Sequence, residues 1–322
     1  MKNSKPTCSL SLDLDNQWSY MKTHGDAGWE SFPSYLDLVV PRFLRILDEF
    51  GWKITVFVVG QDAALEKNRE ALQMIVDAGH EIGNHSFSHE PWLHLYSRQE
   101  IEVEIQGAED AIKTATGKRP RGFRGPGYSL SRDVLEVLAD RDYLYDASTL
   151  PTYLGPLARA FFFLKSNLTA EQKAERTILF GGLRNGLQPV KPYFWALGNQ
   201  KLLEIPVSTI PLLKLPFHFS YLLYLATFSE SLALLYLRIA LAMCLVHGVE
   251  PSLLLHPLDF LGGNETQDLT FFPGMSIHSV RKLDLLNRFL RVVSDRFAVV
   301  STDHYALLDR ADLTLPIRVP EN

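Results

Sequence analysis

WKITVFVVG, residues 52–60, is an almost unbroken run of β-branched and aromatic side chains. Such a run reads as a central strand of a parallel sheet, covered on both faces. The flanking segments keep the rhythm that such a sheet requires. TCSLSLDLD (7–15) reads as a buried strand ending in acids, and SYLDLVVPRFLRILDEFG (34–51) as a helix closed by Gly51. QDAALEKNREALQMIVDAG (61–79) is an amphipathic helix, and HEIGNH (80–85) a short strand. Ser97 and Glu100 form a capping-box pattern for a helix to about Thr116. RGFRGPG (121–127) is strand and turn, SRDVLEVLADRD (131–142) a helix, and YLYDAS (143–148) a strand. Near the end PSLLLHPLDF (251–260) is a strand, SIHSVRKLDLLNRFLRVVSD (276–295) a helix and FAVVS (297–301) a strand. Alternating strands and helices predict an α/β fold with a mostly parallel sheet, open or closed into a barrel.

Residues 150–250 break the alternation. TYLGPLARAFFFLKSNLTAEQK (152–173) and GGLRNGLQPVKPYFWALG (181–198) are rich in aromatics, Gly and Pro. They read as a large, mostly helical insertion within one catalytic domain spanning 1–322, with LLEIPVS (202–208) returning to the sheet. Phe217 to His247 looks helical but apolar on nearly all sides, so it is either buried or docks on something apolar. From Leu215 to Leu237 only Glu230 is charged, which approaches transmembrane length. Pro216, His218, several serines and Glu230 argue against a true span.

The chain's 322 residues are enough for a sizeable core. A net charge of −5 leaves no electrostatic footprint for nucleic acid. Two cysteines, Cys8 and Cys244, are too few for a disulfide framework and fit a reducing compartment. MKNSKPTCSLSLDLD meets charge before an apolar stretch of signal-peptide length, so a cytoplasmic start is expected.

Several chemistry-bearing residues fall at the C-terminal ends of the expected strands, where α/β folds place their sites. Asp13 and Asp15 are two apart, so in extended geometry both carboxylates share a face. His85 and His89, in GNHSFSHEPW, would be neighbours on one helical turn. Two imidazoles and a carboxylate form a catalytic zinc set that leaves one position open. Taken alone, the HxxxH spacing fits two exposed loop histidines better than a metal pair, and its place after the third strand, with an acid pair after the first, reverses that reading. Arg124 precedes a Gly-Pro-Gly turn, Asp146 ends a strand, and His256 ends the apolar SLLLHP. A histidine there can serve as general acid near neutral pH, or as a satisfied core residue.

The order of these motifs resembles the polysaccharide deacetylase family, the NodB-homology group of carbohydrate esterase family four. SLDLDN is similar to its first motif in DxD form, HSFSH to its second, and FRGPGYSLS to its arginine-proline motif. YLYDAS and LLLHP are similar to the fourth and fifth. The resemblance covers residues 7–150 and resumes around 202–305. It implies a distorted (β/α) barrel with a divalent metal in its mouth, zinc first and Co2+, Ni2+, Mn2+ or Fe2+ as alternatives. It implies that Asp15, His85 and His89 bind the metal, that Asp13 is the general base oriented by Arg124, and that His256 is the general acid. Asp146 would orient a catalytic partner, Gly127 would donate its N–H to the oxyanion, and Tyr128 and Trp92 would line the substrate site.

Three departures bear on substrate. Leu14 splits the acid pair, the fourth motif continues as Ser148-Thr149-Leu150-Pro151, and the 150–250 segment is extra. With no export signal in view, the expected substrate is an N-acetyl or N-formyl amino sugar in a glycan or lipid-linked precursor. Phe161-Phe162-Phe163 and the apolar stretch 217–245 suggest contact with a membrane surface. A cyclic-amide or ureide hydrolase and a non-catalytic carbohydrate- or lipid-binding protein remain as alternatives.

Overall fold

The computed structural model of the chain describes residues 5–166, 168–169, 182–310 and 314–320. Its centre is β1 (Thr7–Asp13), β2 (Thr55–Val58), β3 (Glu81–Asn84), β4 (Gly122–Phe123) and β5 (Tyr145–Asp146). These strands lie side by side in chain order and parallel. β6 (Tyr193–Leu197) and β7 (Gln200–Glu204) form an antiparallel hairpin, and β7 runs parallel beside β5. On the far side β8 (Ser252–Leu255) pairs with β1, as does β9 (Ala298–Val300), while β10 (Ile317–Arg318) extends β6.

The residues after β7 bend this sheet into a distorted barrel. Ile205 N–H donates to the Asp146 carbonyl (2.9 Å), Val207 N–H to Thr149 (2.8 Å) and Ser208 N–H to Ser252 of β8 (3.0 Å). The 150–250 segment therefore supplies sheet as well as helix. GGLRNGLQPVKPYFWALG, read as insertion only, hides β6, whose Tyr193, Trp195 and Leu197 point into the core.

Alternation in SLSLDLD decides which residues face the barrel interior. Leu10, Leu12 and Leu14 pack into the main core with helix Leu36–Phe50. That helix buries Leu36, Val39, Val40, Phe43, Ile46 and Leu47, a repeating 3–4 spacing worth about 1.5–3 kcal/mol per fully buried side chain. Gly51 ends it in the left-handed region at φ 66°. Ser9, Ser11, Asp13 and Asp15 are left on the opposite face, all buried. A barrel interior lined this way must find partners for polar groups, and the site is built from those partners.

The apolar stretch from Phe217 forms two helices, Phe219–Ala226 and Glu230–Val246, with Ser229 capping the second through the Leu232 N–H. Leu222, Leu223, Leu237 and Leu241 enter the core. Leu232, Leu235, Ile239 and Val246 face out. Among the described residues no helix is long and apolar enough to cross a membrane. Phe161–Phe163 lie on helix Gly155–Lys165, but the side chains of Phe161 and Phe162 are outside the described residues.

At the barrel's opposite end the Glu81 carboxyl is buried against the Thr55 hydroxyl, the Tyr145 hydroxyl (2.9 Å) and the Asp303 N–H (2.9 Å). Burial and the Asp303 charge push it up from 4.5 to about 8. The folded-state value lies above the unfolded one, so the stability it contributes is complete below about 4.5 and is lost as pH rises toward 8. Glu81→Gln is expected to flatten the fall in unfolding free energy between about pH 5 and pH 8, measured by denaturant titration. An unchanged slope would contradict this assignment.

Candidate metal centre and active site

Asp15, His85 and His89 converge: one ligating atom from each lies within 4.8 Å of the others, and all three residues are buried. His89 Nε2 is 2.9 Å and His85 Nε2 3.3 Å from Asp15 Oδ1. Asp15 lies two residues beyond the end of β1, and the Tyr35 hydroxyl fixes its backbone by donating to its carbonyl at 2.6 Å. Asn16 ties the same turn to Asp62 (2.7 Å) and Ser34 (2.9 Å).

The two histidines do not share a helical turn, contrary to the spacing argument. They sit on a tight loop in which Ser86 (φ 59°) and His89 (φ 51°) are left-handed. Side chains satisfy the loop's N–H groups: Asn84 accepts from Ser86 (2.9 Å), and Glu104 accepts from Phe87 (3.0 Å) and Ser88 (2.8 Å). Those partners remove the need for a helix's internal bonds. Gly60 is required beneath the loop, since a Cβ there would come within 2.6 Å of Ala108 Cα.

His85 Nδ1 donates to the Arg124 carbonyl at 2.6 Å, which leaves Nε2 as a bare lone pair aimed at a carboxylate oxygen. Two acceptors facing each other are repulsive unless a proton or cation lies between them. Burial pulls the His85 imidazole down, but the Asp13 and Asp15 carboxylates outweigh it and raise it above the ordinary value. Burial likewise acts to raise Asp15, yet His89 and His85 hold it well below the carboxylate range. This field attracts positive charge, and two nitrogens with one oxygen fit a divalent ion such as zinc.

Beside this cluster lies a buried ion pair. Arg124 Nη1 donates to Asp13 Oδ1 (2.9 Å) and Ser11 Oγ (2.8 Å), and Nε to the Ala147 carbonyl (2.9 Å). The guanidinium lies 4.6 Å above the Phe57 ring. Arg124 therefore holds one oxygen of Asp13 and joins β1 to the end of β5.

Asp146 was expected to orient a catalytic partner, and its bonds reach neither Asp13 nor His256. It accepts from the Ser148 hydroxyl (2.6 Å), and Ser148 Oγ accepts from the Gly125 N–H (2.8 Å). What Asp146 positions is the Gly125-Pro126-Gly127 turn. Behind it, Asp146 hydrogen-bonds Glu204, whose carboxyl also accepts from the Thr149 N–H (3.0 Å) and Trp195 Nε1 (2.8 Å). Burial and the charge of Asp146 push Glu204 well above the carboxylate range, so the pair keeps a proton. Gly127 (φ 59°) and Tyr128 (φ 63°) are both left-handed, and a Cβ on Gly127 would approach Pro91 to 3.0 Å. Backbone strain of this kind is retained at functional turns. Tyr128 packs on Leu150, Val207 and Leu254. Trp92 is half-buried and bonds to Tyr96, while His94 Nδ1 pairs with Ser129 at 2.8 Å.

His256 follows β8. The Ser220 hydroxyl donates to Asp259 Oδ1 (2.7 Å), so its oxygen accepts from His256 Nδ1 at 3.1 Å. Asp259 also accepts the His256 N–H (2.8 Å). This arrangement commits the Nδ1 proton to Ser220 and leaves Nε2 as the ring's other nitrogen. The HPLD spacing, a capping acid three residues on, could have revealed Asp259. Ser220 carries no such signal.

Residues 26–145 match the family profile described as polysaccharide deacetylase. A peptidoglycan deacetylase of Helicobacter pylori is 35% identical over 117 residues, 36% of this chain and 39% of that protein. A peptidoglycan deacetylase-like protein of Gibberella zeae is 35% identical over 111 residues, 34% of this chain and 32% of its own length. The chain thus covers well under half of either relative. The solved structure of a candidate polysaccharide deacetylase from Mycobacterium smegmatis superposes with a TM-score of 0.66 at 22% identity, covering 100% of this chain and 96% of that one. That likeness is one of fold, and it runs the full length of the distorted barrel.

Purified protein is expected to bind about one equivalent of zinc, and His85→Ala or Asp15→Asn to bind almost none, by elemental analysis after dialysis. Equal metal in wild type and both variants would contradict the assignment.

Proposed function

The chain belongs, through residues 26–145, to the polysaccharide deacetylase family, and from that premise we propose that it is a metal-dependent amide hydrolase. Its substrate is an N-acetyl or N-formyl amino sugar in a glycan or lipid-linked glycan precursor. The observation that carries this reading is the convergence of Asp15, His85 and His89 with the Asp13–Arg124 pair alongside. The names of the peptidoglycan deacetylases it resembles support an N-acylated sugar.

A divalent cation held by Asp15, His85 and His89 would supply a Lewis acid that activates water and polarises the acyl carbonyl. Asp13, with Oδ1 fixed by Arg124, takes the proton of the attacking water on its other oxygen. The turn that Asp146 positions through Ser148 brings the Gly127 N–H to the developing oxyanion. His256 gives a proton from Nε2 to the leaving nitrogen, because an unprotonated amine leaves poorly. Its Nδ1–H stays on Ser220, and the carboxyl of Asp259 steadies the charged ring.

Exposed apolar side chains support a lipid-linked form of the substrate and peripheral attachment to a membrane's inner face. Phe228 is 73% exposed and Val246 79%, and Leu232, Leu235 and Ile239 are exposed between them, alongside the polar Ser231 and Arg238. A surface of this kind on an otherwise ordinary domain marks an interaction site.

The protein is expected to release acetate from an N-acetylglucosamine oligomer, and Asp13→Asn to slow this by about 10²–10⁴-fold while keeping its metal. Hydrolysis of an allantoin-like cyclic amide with none of the oligomer would replace this reading by the ureide one. The protein is also expected to float with anionic liposomes and to lose that on Phe228→Ser with Leu235→Ser. Failure of the wild type to float would remove the membrane from the account.

A further inference from the structure

His218 lies in LPFHFS, outside every motif that builds the site. It occupies the N-cap position of helix Phe219–Ala226 yet makes no capping bond. The side chain is buried at 5% exposure, and neither ring nitrogen has a partner among the described residues. Its ring centroid is 6.1 Å from that of His256 and 4.4 Å from that of Tyr221, the latter pair T-shaped. Burial, with the neighbouring His256 and Arg124 charges, holds it far below the ordinary histidine range, so the ring stays neutral.

Two unpaired nitrogens under cover are destabilising, and a leucine or phenylalanine here would avoid both. The surrounding segment is rich in such residues, so the histidine is out of place as filler. A neutral imidazole presents one donor and one acceptor. A hydroxyl group, which accepts and donates from the same atom, complements it. The position beside His256 puts that hydroxyl close to the nitrogen that His256 protonates.

We propose that His218 is a substrate-binding residue that hydrogen-bonds a ring hydroxyl of the amino sugar next to the scissile amide. This rests on the amino-sugar reading above and deepens it. The 150–250 segment then supplies specificity at the reacting centre: Ser220 holds the general acid from behind, and His218, two residues earlier, holds the sugar.

The test compares wild type, His218→Phe and His218→Gln on an N-acetylglucosamine oligomer and on an aryl acetate ester without a sugar. Calorimetric titration of the zinc-loaded proteins with the same oligomer accompanies it. His218→Phe is expected to lose roughly tenfold to a hundredfold more in kcat/KM on the oligomer than on the ester, with weaker oligomer binding. His218→Gln, which keeps a donor and an acceptor, is expected to recover most of that loss. Equal losses on both substrates, or no loss on either, would overturn the inference. Should the wild type hydrolyse neither compound, the hydrolase reading fails and the titration decides alone. Weaker binding by His218→Phe would sustain the inference, and unchanged or absent binding would overturn it.

Discussion

Arg124 is a cation with no exposed surface, and the site is arranged around it. Its side chain joins Asp13 and Ser11 of β1 to the carbonyl of Ala147, while its own carbonyl fixes the tautomer of His85. Burying a guanidinium is unfavourable unless its charge and donors are matched. Asp13 matches the charge, and removing either partner would strand the other at a cost of about 3–5 kcal/mol. One residue therefore ties Asp13 to His85 and to the barrel interior. Asp13 and His85 cannot drift apart without breaking these contacts.

Asp13, Asp15, His85, Arg124, Asp146 and His256 were legible in the sequence because a parallel barrel brings the C-terminal ends of its strands to one rim. Alternation in SLSLDLD, a β-branched run and a late apolar strand suffice to put them there. What the sequence did not disclose depends on distance along the chain. Ser220 reaches His256 across 36 residues and Glu204 reaches Asp146 across 58, with no periodic pattern linking them. The HxxxH pair was read with the wrong local geometry for a related reason. Spacing of four suits a helix, but Glu104, a helix residue well downstream, caps the loop's N–H groups instead. β6 stayed hidden because Gly and Pro dominate the residues leading into it.

The segment that broke the sequence rhythm contributes at three levels. Residues 205–209 close the barrel against β8, helix Phe219–Ala226 delivers Ser220 to His256, and helix Glu230–Val246 presents an apolar outer face. Its inner face is ordinary core, with Leu237, Leu241 and Cys244 fully buried. Core packing and an outward apolar surface are thus both true of one element, on opposite sides of the same helix.

The central claim is that Asp15, His85 and His89 hold the ion on which hydrolysis depends. X-ray absorption spectroscopy of the zinc-loaded protein tests it most directly, because it reads the ligands rather than the activity. The account predicts a first shell of nitrogen and oxygen at about 2.0–2.2 Å, with the outer-shell signature of two imidazole rings. A shell containing sulfur at about 2.3 Å, or one without imidazole, would contradict it.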